Sequence, residues 1–191
     1  MLKNFIGVCV LALLISIAFY NGYKKTEAEN KEEKYLSAEE YMETVTLDVG
    51  SKAPNITVVD LNTDEQVKLS DYMDKPVILT FFASWCEICK EDMPLFNDMK
   101  EKYEDEIAIL AVNYTQTERS VNDVRKYQKK YDLQMPVLID PVGKAVGKYK
   151  VISLPTTYFI NKNGKIEDKS FGAFKKSQLE EKIKQLLSSN A

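Results

Sequence analysis

Apolar and polar residues along the chain form blocks that predict strands and helices in alternation. Two continuous apolar runs, Pro76–Phe82 and Ile107–Asn113, are typical of central strands that are buried on both faces. Apolar residues at helical spacing predict helices over Cys86–Tyr103, Ser120–Tyr131 and Lys175–Leu187. The other predicted elements are strands at Ile56–Asp60, Gln66–Leu69, Pro136–Ile139, Thr156–Ile160 and Lys165–Lys169, and a short helix at Lys144–Lys150. This order predicts an α/β fold, a mixed sheet flanked by helices, in which the first two strands form an N-terminal hairpin extension.

The N-terminus has a different pattern, an apolar run from Phe5 to Tyr20 behind a short charged start that contains Lys3. Such a pattern is typical of a signal peptide or of an uncleaved signal anchor. Because no convincing small-residue cleavage site follows, we predict a transmembrane anchor over residues 1–23. Within the run, Cys9 is interpreted as a small apolar residue of the membrane helix and not as a lipidation site.

The orientation of this anchor depends on two signals that disagree. More lysines follow the apolar run than precede it, and the positive-inside rule therefore argues against an external C-terminal domain. An apolar segment at the extreme N-terminus normally enters the export route, and we give this signal more weight. We therefore predict a single-pass protein of the cell membrane, with a charged stalk over residues 24–47 and an extracytoplasmic domain over residues 48–191.

Composition removes several classes of function. The net charge of -3 gives no electrostatic case for binding nucleic acid. The chain has no histidine, so it lacks the usual general base at neutral pH and the commonest zinc ligand. Three cysteines without histidine also argue against a closed zinc site, and we predict no metal and no separate cofactor.

Cys86 and Cys89 are the candidate chemical groups, since they lie three residues apart at the start of a predicted helix. A helix N-terminus stabilises a thiolate, which is the nucleophile in thiol–disulfide exchange. We therefore expect Cys86 to attack a substrate disulfide and Cys89 to resolve the mixed disulfide. Half a zinc site and a structural disulfide have the same spacing, but the other half-site is missing and so short a loop stabilises little.

The residues around the two cysteines carry a family resemblance. The segments Phe81–Lys90, Met93–Pro94, Leu154–Ile160 and Asn163–Ile166 together resemble the thioredoxin superfamily. More narrowly, they resemble the membrane-anchored, extracytoplasmic thioredoxin-like proteins of the ResA/TlpA type. The resemblance extends over residues 48–191 and implies a thioredoxin-like fold with a thiol–disulfide oxidoreductase activity.

The resemblance also implies roles for individual residues. Pro155 matches the family's cis proline beside the active-site sulfurs, and Leu154 would offer backbone groups to a bound substrate segment. Pro94 matches the proline that kinks the active-site helix. Trp85 would cover the site, although a place at the edge of the core is equally consistent with the sequence.

Two acidic residues near the cysteines are further candidates. Glu87 lies between the cysteines as in ResA-like proteins, and Asp92 stands where those proteins carry a glutamate near the buried thiol. A carboxylate there would accept the proton of Cys89, whereas the alternative for both acids is a solvated helix surface. The chain departs from the pattern at Ile88, where a proline is usual, and at Thr80, where cytoplasmic thioredoxins bury an aspartate.

The leading functional hypothesis is a reductant of disulfides in exported proteins such as apocytochrome c. Electrons would come from a membrane-embedded thiol donor, and we expect the chain to act as a monomer. A disulfide oxidase or isomerase would use the same residues, so the sequence separates these alternatives poorly. A thiol peroxidase is less consistent, because Ala83 stands where that class has a threonine, and a non-catalytic scaffold would not need both cysteines.

Overall fold

The computed structural model describes residues 15–20 and 46–189. The chain divides into two units, Met1–Tyr41 and Met42–Ala191, and residues 15–20 of the first unit are helical. In the described part of the chain, no helix is long and apolar enough to cross a membrane.

Most of the predicted anchor and stalk lies outside the described residues, and so does Cys9. The membrane anchor and the domain boundaries therefore stay predictions.

A mixed sheet forms the centre of the second unit, and its strands follow the order β2-β1-β5-β4-β3-β6-β7. The strands are β1 (Thr57–Asp60), β2 (Gln66–Lys68), β3 (Val77–Phe82), β4 (Ala108–Asn113), β5 (Val137–Ile139), β6 (Thr156–Ile160) and β7 (Ile166–Phe171). The helices are α1 (Cys89–Lys102), α2 (Val121–Lys130), α3 (Lys144–Lys148) and α4 (Lys176–Ser188). Strands β3, β4 and β5 are parallel, whereas the other neighbours are antiparallel. The predicted α/β fold and its N-terminal hairpin are confirmed.

Strand β3 divides two hydrophobic cores, because its side chains alternate between the faces of the sheet. Ile78 and Phe82 belong to the core that contains the inner faces of α1, α2 and α4. Leu79 and Phe81 belong to the opposite core, which contains Tyr149 after α3. Since both faces are covered, β3 is buried along its whole length, as its continuous apolar sequence predicts. The chain leaves the carboxyl end of β3 directly into the segment that carries the cysteines, at the edge where α/β sheets commonly place their sites.

Two short 3-10 turns, Leu69–Tyr72 and Thr115–Thr117, are not predicted by the sequence pattern. Each is too short to repeat an apolar position, so periodicity gives no signal there. The second turn follows β4 and lies beside the cysteine-bearing segment.

A buried tyrosine hydroxyl stabilises the core that contains α3. Tyr158 Oη donates a hydrogen bond of 2.7 Å to the carbonyl oxygen of Tyr149, just beyond the end of α3. We expect Tyr158→Phe to lower the free energy of unfolding by about 1–2 kcal/mol, because this buried carbonyl group loses its partner. Urea unfolding of the two proteins measures the difference, and an unchanged midpoint would contradict it.

Candidate active site

Cys86 and Cys89 form a disulfide with an S–S distance of 2.05 Å and a Cα–Cα distance of 5.3 Å. Cys86 is 6% exposed, whereas Cys89 is completely buried. Solvent therefore reaches only the first cysteine of the pair. The difference in exposure gives the two sulfurs the order that exchange chemistry needs, an accessible attacking group and a protected resolving group.

Helix α1 begins at Cys89 and not at Cys86, so the predicted start of this helix is wrong. Residues 87 and 88 form tight turns that lead into the helix. Glu87 O accepts a hydrogen bond from Lys90 N, and Ile88 O accepts one from Glu91 N. Cys86 still lies at the positive end of the helix, because Cys89 N donates to Cys86 Sγ over 3.2 Å. The same N–H group would stabilise a Cys86 thiolate, together with the helix dipole.

Asp92 lies one turn into α1 and is completely buried, so the alternative of a solvated surface acid is wrong for this residue. Its Oδ1 accepts a hydrogen bond of 2.7 Å from Phe174 N. Among the described residues, its Oδ2 has no hydrogen-bond partner. Burial raises the pKa of Asp92 to about 6, although the hydrogen bond from Phe174 opposes that shift. Residues three positions apart share a helix face, so Asp92 lies on the face of Cys89.

Glu87 has the opposite environment. Its side chain is 85% exposed and pairs with Lys90 in the same turn. The hydrogen bond from Lys90 lowers the pKa of Glu87 and keeps its carboxylate ionised. The interpretation of Glu87 as a solvated surface acid is thereby confirmed, whereas any influence on the cysteines stays a prediction.

An open groove of about 640 Å³ adjoins Cys86. Its walls come from two loops, Trp85–Ile88 on one side and Val151–Leu154 on the other, together with Tyr114 and Thr117. The peptide bond between Leu154 and Pro155 is cis, as predicted, whereas the place of Pro155 beside the sulfurs stays a prediction. Leu154 thus lies in the wall of the groove, where the family resemblance places a substrate-binding residue.

Trp85 also lines this groove and is 56% exposed. Its Nε1 donates a hydrogen bond of 3.1 Å to Thr117 Oγ1. The alternative that Trp85 belongs only to the core edge is therefore wrong. Together with the exposed Ile88, Trp85 gives the groove an apolar rim beside the accessible sulfur.

Beneath the site, Thr80 occupies the position where the resemblance leads one to look for a buried acid. Its Oγ1 lies 3.0 Å from Thr157 Oγ1, and both threonines are completely buried. One hydroxyl group donates to the other, and a threonine hydroxyl is not a proton acceptor of carboxylate strength. Asp92 is consequently the carboxylate that the site offers on the α1 side.

Sequence reasoning missed the residues that hold the segment before Cys86. Glu118 accepts hydrogen bonds from Ser84 and Asn113, and Thr117 accepts one from Trp85. These acceptors lie in a short polar loop with no repeating pattern, and the loop's position after the second core strand was the only signal.

In the described part of the chain, no group of three or more Cys, Asp or Glu side chains is arranged to hold a metal ion.

A Cys-x-x-Cys disulfide ahead of a helix, with a cis proline in the facing loop, defines a thioredoxin-like protein. The model of the AhpC/TSA family matches residues 49–169, and the chain belongs to this family. The thioredoxin-like protein YneN of Bacillus subtilis is 33% identical over 183 residues, which cover 96% of this chain and 98% of YneN.

Two further relatives have descriptions that concern function. The thiol–disulfide oxidoreductase ResA of Bacillus cereus is 37% identical over 153 residues, covering 80% of this chain and 83% of ResA. A crystal structure of the pneumococcal exposed lipoprotein thioredoxin Etrx1, from Streptococcus pneumoniae, matches with a TM-score of 0.62 and 32% identity. That match covers 70% of this chain and all of Etrx1.

Proposed function

We propose that this protein is a thiol–disulfide oxidoreductase that reduces disulfides in exported proteins. The observation that carries the proposal is the pairing of an accessible Cys86 with a fully buried Cys89 at the head of α1. The similarity to a protein named thiol–disulfide oxidoreductase supports the same activity.

Exchange proceeds in two steps from the reduced dithiol. The Cys86 thiolate attacks one sulfur of the substrate disulfide, forms a mixed disulfide and releases the first substrate thiolate. Cys89 then loses its proton and attacks Cys86 Sγ, which forms the Cys86–Cys89 disulfide and releases the second substrate thiolate. Two electrons pass to the substrate, whose thiolates take up one proton from Cys89 and one from solvent, and the structure represents the oxidised product.

Asp92 is suited to accept the proton of Cys89 in the second step. The carboxyl group is buried on the same helix face, and its Oδ2 has no partner among the described residues. A pKa of about 6 places this carboxyl group close to neutral pH, where a general base is most effective.

The proposal places this chemistry outside the cytoplasmic membrane, on a single-pass anchor. The apolar run Phe5–Tyr20 supports the anchor, and one structural relative is described as an exposed lipoprotein. Substrates are then disulfide-bearing exported proteins, apocytochrome c among them. Each turnover consumes two electrons, which a membrane-embedded thiol donor must return to the Cys86–Cys89 disulfide.

A redox titration of the purified protein tests the direction of exchange. For a reductase we expect a midpoint potential closer to thioredoxin, at about -270 mV, than to DsbA, at about -120 mV. Trp85 is the only tryptophan and adjoins Cys86, so its fluorescence follows the titration. A potential near that of DsbA would instead assign the protein as an oxidase, and peroxide consumption by Cys89→Ser protein would assign it as a peroxidase.

Membrane attachment is tested on the full chain in a bacterial host. We expect the protein to sediment with membranes and to lose its domain when protease is added to intact spheroplasts. A variant that lacks residues 1–23 serves as the control and should stay soluble inside the cell. Full-length protein that resists protease in intact spheroplasts would contradict the extracytoplasmic placement.

A further inference from the structure

Glu118 holds the segment that leads into Cys86. One carboxylate oxygen, Oε1, accepts a hydrogen bond of 2.6 Å from Ser84 N and one of 2.7 Å from Asn113 Nδ2. The other oxygen, Oε2, accepts a hydrogen bond from Ser84 Oγ. A single carboxylate thus binds both the main chain and the side chain of a residue two positions before the attacking cysteine. Hydrogen bonds to an ionised acceptor are among the stronger ones in proteins.

The loop that presents Glu118 is itself well supported. It contains the 3-10 turn Thr115–Thr117, which Glu118 N closes by donating to Thr115 O over 3.1 Å. Thr115 Oγ1 donates to Asn113 O and accepts from Asp140 N, which joins the turn to the ends of β4 and β5. Asn113 is completely buried as the last residue of β4. Glu118 therefore anchors Ser84 to the sheet.

A second contact from the same loop reaches the next residue along the active-site segment. Thr117 Oγ1 accepts the indole N–H of Trp85 and donates to Tyr114 O over 2.8 Å. Both residues that directly precede Cys86 are consequently bound to the loop after β4. Cys86 itself is tied to this segment, because Cys86 N donates to Ala83 O over 3.1 Å.

We propose that Glu118 is the positioning residue of the attacking cysteine, and that its carboxylate fixes the path of residues 83–86 so that Cys86 faces the groove. The inference rests on the proposed exchange activity. Glu118 acts through Ser84, whereas the neighbouring Thr117 holds Trp85, and Glu118 does not react with the substrate. Misplacing a reacting atom by about an ångström is enough to slow a reaction strongly, and this is the loss that the contacts prevent.

Glu118 could act through the position of its hydrogen bonds or through its negative charge, and these two roles predict different results for Glu118→Gln. The amide of Glu118→Gln keeps one oxygen that accepts from Ser84 N and Asn113 Nδ2, and its N–H groups reach Ser84 Oγ. This variant retains the contacts but removes the negative charge. Glu118→Ala removes both and leaves the donors of Ser84 and Asn113 unpaired.

The experiment compares Glu118→Ala, Glu118→Gln and Ser84→Ala with the parent protein. Glu101→Ala, which removes an exposed carboxylate on α1, is the matched control. Three quantities are measured on each protein: kcat and KM for reduction of a peptide disulfide, the pKa of the Cys86 thiol from alkylation rates, and the fluorescence anisotropy of Trp85. Circular dichroism establishes that each variant is folded.

For Glu118→Ala we expect kcat to fall about tenfold with KM within about twofold, together with a lower Trp85 anisotropy, because the segment loses its fixed position. Ser84→Ala should show a smaller decrease in the same direction, and it keeps the test valid if Glu118→Ala does not fold. Glu118→Gln should remain close to the parent protein in all three quantities.

Two results would overturn the proposal. If Glu118→Gln is as slow as Glu118→Ala and both shift the thiol pKa, Glu118 acts through its charge and not through position. If Glu118→Ala keeps the parent kcat and anisotropy, the contacts do not position Cys86. A parent protein without exchange activity would refute the proposed function instead, and the anisotropy of Trp85 would still report on the contacts of Glu118.

Discussion

Replacing Cys86 with serine lowers the rate of disulfide reduction by about 10³-fold or more, since removing a nucleophile removes the reaction path that depends on it. A serine hydroxyl stays protonated at neutral pH and forms no disulfide with the substrate. The rate is measured with a peptide disulfide and a chemical reductant. The third cysteine, Cys9, is first replaced by serine in every protein, so that only the two cysteines of the domain react.

Replacing Cys89 with serine has a different expected result, because the first step remains possible and the second does not. A mixed disulfide between Cys86 and the substrate should accumulate, and mass spectrometry of non-reduced protein detects it. The same variant in cells should retain its physiological partners. Equal residual rates in both variants without a trapped complex would contradict the assigned order of attack and resolution.

Much of the fold follows from patterns that depend on local sequence. Strands β3 and β4 are predicted because burial on both faces requires an unbroken apolar run. The two cysteines are recognisable because a Cys-x-x-Cys spacing after a buried strand is typical of thiol–disulfide exchange proteins. The cis bond at Pro155 is implied by the family resemblance alone, since nothing in the neighbouring residues specifies it.

Other features depend on contacts between distant parts of the chain. The burial of Asp92 results from α1 packing beside the segment before α4, where Phe174 N reaches its carboxylate. Asp92 and the exposed Glu87 look alike in sequence, five positions apart in one acidic stretch. Glu118 lies in a loop with neither periodicity nor turn signal, and its partner Ser84 is 34 positions away. Such contacts depend on tertiary packing, and neither secondary-structure propensity nor residue spacing predicts them.

The burial of Asp92 has a cost that changes with pH. Its pKa is raised from 3.8 to about 6 in the folded protein, so the folded state binds a proton more tightly than the unfolded state between these values. The stability that the protonated form contributes is complete below about pH 4 and is lost as the pH rises through about 6. At neutral pH the buried, ionised Asp92 therefore lowers the stability of the protein. A residue with only a structural role would have no reason to carry this cost.

We expect Asp92→Asn to remove this pH dependence. Relative to the parent protein, the free energy of unfolding of the variant should increase by about 3 kcal/mol between pH 3.5 and pH 7.5, since one pKa unit corresponds to about 1.4 kcal/mol. Urea unfolding of the oxidised proteins at both pH values measures this change. Glu101→Gln removes an exposed carboxylate further along α1 and is the matched control.

The same substitution should slow resolution of the mixed disulfide by about 10²-fold at pH 7, because Cys89 loses its proton acceptor. The rate of release of the second substrate thiol, measured in a single turnover, isolates this step from the attack of Cys86. A variant that gains stability at neutral pH and loses resolution identifies Asp92 as a base kept at the expense of stability. Resolution at the parent rate would show that Cys89 gives its proton to another group, even if the change in stability is observed.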